Sequence, residues 1–437
     1  MSWSNPLPAM YEAPVPQAGL APVRQRLPMI SVLVGLFIIP ACGLAVFSGW
    51  NYVVKGLGAV LVLAFVIRAF SGGASVCPET ILYGTWVVWS MIAVIGGVYE
   101  PLFWPQWFTV AQTLILIAII AGFTNSRKIL LFNLIMFLLA ATLWGGMSVA
   151  TGDFQRAEEE GERAGSFVGA NGFGFMMLMA TVAMAHFWML RTRRPILRYV
   201  VLGTGMATAS MFVILSGSRK AILALALFYA LWVWYCYRKE VFARGKVFAA
   251  VLVLTAAGSY GAYRMIAGTY LEERFKASLS VITGGGRKHG GGGQERIRLY
   301  RVGFTLIGRR PFIGNGLDNY RMHTGGVMSH SDLLAVAVAT GIPGLGLYLA
   351  IYILLYRRAG RIAKFSADPT EIKFAKLVRA TIIVILLMSL GRKNYHAKDF
   401  WVIFGSLIGY THAVWQSLQA RLALSIEMSG AAPAGSS

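Results

Sequence analysis

The chain has 437 residues, 57% hydrophobic and only 13% charged, and its 40 Lys and Arg outnumber 18 Asp and Glu to give a net charge of +22. So much apolar surface, arriving in blocks of membrane-crossing length, excludes a soluble enzyme and predicts an all-α polytopic integral membrane protein. Much of the positive charge lies between the apolar blocks, where orientation and anionic headgroups explain it, so the expected partners are membrane lipids and not nucleic acid.

Residues 1–28 are Pro-rich, carry Arg24 and Arg26, and read as a disordered, uncleaved cytoplasmic tail. At about 20 residues per crossing, spans are predicted near 29–49, 53–70, 80–98, 107–123, 129–150, 170–190, 198–216, 221–237, 247–266, 331–356, 376–391 and 399–420. That makes about twelve, with transmembrane helices one to nine within 29–266 and ten to twelve within 331–423. A long loop with short helices, 267–330, precedes the tenth span, and 424–437 reads as a second disordered cytoplasmic tail. Cys42, Cys77 and Cys236 show neither CxxC nor metal-ligand spacing, so no disulfide framework and no metal are expected.

The linkers sort by charge. Arg127-Lys128, Arg191 to Arg198, Arg238 to Lys246 and Arg357 to Lys376 share one side, which is cytoplasmic by the excess of Lys and Arg in short loops. Both termini then lie in the cytoplasm, and the 267–330 loop faces the periplasm, away from ATP. Its glycines, Gly284 to Gly286 and Gly290 to Gly293, lack the Gly-Lys-Ser/Thr ending of a nucleotide loop and read as a tether.

Polar clusters gather on that outer side. Arg163-Ala-Gly-Ser-Phe-Val-Gly-Ala-Asn171 leads into the sixth span, Ser216-Gly-Ser-Arg219-Lys220 turns between the seventh and eighth, and Arg296-Ile-Arg298-Leu-Tyr300-Arg301 runs on to Ser329-His330-Ser331-Asp332. Taken singly, Arg219 reads as an interfacial anchor. Taken together, planar guanidinium forks suit a diphosphate, and an imidazole that titrates near neutrality suits removal of a proton from an attacking hydroxyl.

These motifs, with Arg310-Pro311-Phe-Ile-Gly314-Asn-Gly316 and Gly341-Ile-Pro-Gly344, resemble the O-antigen ligase and O-antigen polymerase superfamily over about 163–355. The resemblance implies a glycosyltransferase of the inner (cytoplasmic) membrane with its active site facing the periplasm, using an undecaprenyl-pyrophosphate-linked saccharide and neither cofactor nor metal. It implies that Arg219 and Arg296 hold the pyrophosphate, with Arg298 and Arg301 beside them. His330 becomes the base for the acceptor, which is a growing glycan, a lipid A core sugar or another hydroxyl. Arg163, Asn171, Asp332 and His323 are supporting candidates, His323 ranking second as base. Where the family often has His-Asn, this chain has His330-Ser331-Asp332, and Tyr300 stands where Trp is usual. Asp332 is expected to cap the tenth helix, and His396 to be exposed in a short basic outer loop. A repeat-unit polymerase would use the same site. A small-anion transporter is the contrasting reading, disfavoured because the polar clusters lie at one surface and not at the midplane.

Overall fold

The computed structural model describes residues 28–44, 50–71, 76–95, 102–151, 169–190, 197–243, 264, 272, 292–327, 329 and 331–430. The regular elements among them are helical: α1 (Met29–Ile39), α2 (Trp50–Phe70), α3 (Pro78–Ile95), α4 (Phe103–Phe123), α5 (Arg127–Ala150), α6 (Gly169–Leu190), α7 (Gly203–Leu215), α8 (Arg219–Ala243), α9 (Gly292–Arg309), α10 (Asp332–Phe365), α11 (Pro369–Ser389) and α12 (Lys398–Gly430). Five of these helices, α4, α5, α6, α8 and α10, are long and apolar enough to cross a membrane. The expected all-helical membrane character is present. The expected count of about twelve crossings is not reached on that measure, and the span placed at 247–266 lies outside the described residues.

Helix starts follow local chemistry. Ser126 caps α5 by accepting from the Ile129 amide at 3.4 Å, and Asp368 caps α11 by accepting from the Thr370 amide at 2.7 Å, with Pro369 in the first turn where its missing N–H costs nothing. The central element is α6, buried along nearly its whole length among α5, α7, α8, α11 and α12. Its Met176, Met177, Met179, Met184 and Met189 fill irregular gaps that stiffer side chains would leave open. On the periphery, Val60, Leu63 and Ile67 of α2 stay exposed, as lipid-facing side chains do. Away from the 390–397 loop, Arg358 of α10 pairs with Glu79 of α3 at 2.8 Å, both buried, which ties the two helices together.

Helix α10 is not the straight tenth span that its hydropathy predicts. Gly341 adopts φ 70° and ψ −177°, a region open essentially to glycine, and Pro343 follows, so the helix breaks into limbs at 332–340 and 342–365. Tyr348 Oη donates to Asp332 Oδ2 at 2.7 Å. In a straight helix those residues would stand about 24 Å apart along the axis, so the first limb folds back beside the second. A buried break in a helix must answer for its freed carbonyls. Val338 O accepts from the Asn315 amide (2.8 Å) and Asn315 Nδ2 (3.2 Å), Ala339 O from the Gly316 amide (3.0 Å), and Thr340 O from Trp89 Nε1 (2.9 Å). Pro311 O accepts from the Ile342 amide at 2.7 Å. The close approach is possible because Gly314 lacks a Cβ, which would strike the Ala339 carbonyl, and a Cβ on Gly341 would strike that of Phe312.

Gly341→Ala is therefore expected to cost roughly 2–3 kcal/mol from backbone strain alone. Thermal unfolding in detergent checks it, and a midpoint unchanged from the parent would rule out the strained hairpin.

Candidate functional site

The polar elements meet on the connection between α11 and α12, residues 390–397. Each approaches from a different helix. Lys220 of α8 donates to Gly391 O at 2.6 Å, Tyr300 of α9 donates to Leu390 O at 3.4 Å, and Tyr83 of α3 donates to Tyr395 O at 2.6 Å. Lys393 pairs with Asp318 at 2.7 Å and Arg392 with Asp399 at 3.1 Å. From α10, Asp332 Oδ1 accepts the amides of Asn394 (2.7 Å) and Tyr395 (3.0 Å).

Asp332 is fully buried, and its contacts correct one expectation. The N-cap of α10 is Ser331, whose hydroxyl accepts from the Leu334 amide at 3.3 Å; Asp332 lies one position inside the helix and spends its carboxylate on the 394–395 backbone and on Tyr348. Ser329 braces the cap, its Oγ donating to Ser331 O at 2.9 Å and accepting from the Ser331 amide at 3.2 Å.

The Ser216-Gly-Ser-Arg219 turn is equally determined. Gly217 takes a left-handed φ of 63°, which lets α7 end and α8 begin within three residues. Ser218 caps α8, accepting from the Ala221 amide at 3.4 Å while donating to Asn171 Oδ1 at 3.0 Å. Asn171 thus sets the turn's position against α6, and Arg219 is the first residue of α8, exposed, where the helix dipole adds to its own charge.

Helix α9 rests on the first limb of α10 through Leu299 and Leu306, packed with Tyr320, Leu334 and Val338, and Tyr320 Oη donates to Leu299 O at 2.7 Å. Ile297, Tyr300 and Phe304 form a second, exposed apolar stripe, with Arg298 and Arg301 exposed beside it. That two-sided pattern suits a helix lying at a membrane interface. His323 is exposed on the 3-10 turn Asn319–Thr324. Arg163, His330 and the side chain of Arg296 lie outside the described residues, although Arg296 falls on α9 one turn before Tyr300. Of the expected site residues, Asn171 and the Arg219 turn are joined directly, and Asp332 and α9 reach them through the 390–397 loop.

That loop is what the sequence reading missed. Its signal was the dense run Arg392-Lys393-Asn-Tyr-His396 between two apolar helices, read as exposed. His396 is instead tucked in, its Nδ1 buried, and burial followed by the nearby Lys393 and Arg392 charges pulls its pKa from 6.5 to about 4. A histidine that binds protons less readily folded than unfolded adds stability above pH 6.5, and that stability is lost as pH falls toward 4. The unfolding midpoint is expected to decline over that window, and His396→Gln to flatten the decline. A parallel decline in the variant would remove His396 as its source.

Among the described residues no group of three His, Cys, Asp or Glu side chains is arranged to hold a metal. No curated protein matches the chain. The family model described as O-antigen ligase matches residues 204–349, from α7 through the first turns of the second limb of α10, and over that stretch the chain is similar to that family.

Proposed function

We propose that the protein is a glycosyltransferase of the bacterial inner membrane that moves or polymerises a saccharide carried on a polyprenyl diphosphate, with its site on the periplasmic face. The observation that carries this reading is the convergence of the Arg219 turn, the arginine-bearing helix α9 and the folded-back limb beginning at Asp332 on one loop, within or beside the stretch that matches the family. Arg219 and Arg296, with Arg298 and Arg301 near them on α9, hold the diphosphate and stabilise the charge that grows on it. His330 takes the proton from the acceptor hydroxyl as its oxygen bonds to the anomeric carbon. The bond from that carbon to the phosphate oxygen breaks, and the lipid diphosphate leaves with the bonding pair.

Purified protein in detergent, given a lipid-diphosphate saccharide and an acceptor without nucleotide, is expected to form the transferred glycan. No product at saturating donor sinks the reading. Donor alone separates the two forms of the activity, since a polymerase lengthens it and a ligase waits for a distinct acceptor. Uptake of a small anion into proteoliposomes without glycan product would replace the enzyme by a carrier.

A further inference from the structure

Arg392 holds a buried donor that no group among the described residues answers. Its Nη2 donates to both oxygens of Asp399, at 3.4 and 3.1 Å, and its guanidinium carbon lies 4.0 Å from the centre of the Phe175 ring. Its Nη1 is buried and has no hydrogen-bond partner among the described residues. Folded proteins leave few such groups, and a charged one is the costliest kind to leave unpaired.

Two separate contacts put this guanidinium at the corner where α8 begins. Phe175, under its plane, is one helical turn beyond Asn171, which accepts from Ser218 at 3.0 Å. Gly391, the residue before it, accepts from Lys220, the neighbour of Arg219, at 2.6 Å. Asp399 and the Phe175 ring fix the fork, so little side-chain freedom remains to be lost when an anion arrives.

We propose that Arg392 binds the diphosphate of the lipid-linked donor together with Arg219, Nη1 donating to a phosphate oxygen while Nη2 stays on Asp399. The proposal rests on the donor class inferred above. It adds to the site a residue from outside the 204–349 stretch that matches the family. Asp399 is a positioning residue for Arg392, and Phe175 is its seat.

The test is binding of inorganic pyrophosphate and of a short-chain prenyl diphosphate to the full chain in detergent micelles, measured by calorimetry beside the transfer assay. Arg392→Gln is expected to weaken both ligands roughly 10- to 100-fold, and to raise KM for the donor more than it lowers kcat. Arg392→Lys keeps the charge on Asp399 but loses the fork, and is expected to weaken binding roughly tenfold with little change in unfolding midpoint; it carries the test if the glutamine variant does not fold. Parental affinity in both variants overturns the assignment while leaving the glycosyltransferase reading in place. Arg392-dependent binding without any glycan product keeps the assignment and removes that reading. Absence of diphosphate binding in the parent removes both.

Discussion

Replacing Asp332 by alanine is expected to lower the unfolding free energy by roughly 3–5 kcal/mol, because the change leaves buried groups without their acceptor. The Asn394 and Tyr395 amides and the Tyr348 hydroxyl all donate to this one fully buried carboxylate, at 2.7, 3.0 and 2.7 Å. Tyr352 Oη donates in turn to Tyr348 Oη at 2.9 Å, so the loss runs into a second hydroxyl. Thermal unfolding in detergent reads the total, and hydrogen exchange at the 394 and 395 amides reads the place. Tyr348→Phe removes one donor to Asp332 and the acceptor of Tyr352, and is expected to cost roughly 1–3 kcal/mol. An alanine variant that melts with the parent, its two amides still protected, would show that the loop is held by other contacts.

That carboxylate also shows what one sequence reveals and what it hides. Helical class and membrane character were legible because they depend on local composition and on the length of each apolar run. The motif from Pro311 to Gly316 and the pair Gly341 and Pro343 were visible as signals of a family, but their physical meaning was not. The glycines let two distant backbones touch, and Asn315 and the Gly316 amide satisfy the Val338 and Ala339 carbonyls that the break in α10 releases. Hydropathy alone made residues 331–356 a single crossing, since it registers apolar length and takes no account of one φ of 70°. The roles of Asp332 and His396 were hidden for a related reason. Each depends on partners from distant elements, 394 and 395 for the first and the folded loop for the second, and a burial arising from tertiary contact leaves no periodic trace.

His330→Ala is expected to cut turnover roughly 10²- to 10⁴-fold, the range that a positioned general base supplies, while leaving the unfolding midpoint in place. The residues on either side of it already have structural duties: Ser329 and Ser331 build the cap of α10, and Asp332 anchors the loop. His323, the second candidate, sits exposed on a 3-10 turn. His323→Ala is accordingly expected to keep most of the activity. The pH profile of kcat/KM adds an independent reading, because a histidine base works only when neutral, so the rate falls on the acid side. An acid limb near pH 4 would point to His396, whose burial and cationic neighbours hold it neutral down to about that value. Activity that survives His330→Ala but disappears with His323→Ala would move the base to the 3-10 turn and leave the proposed roles of the arginines unchanged.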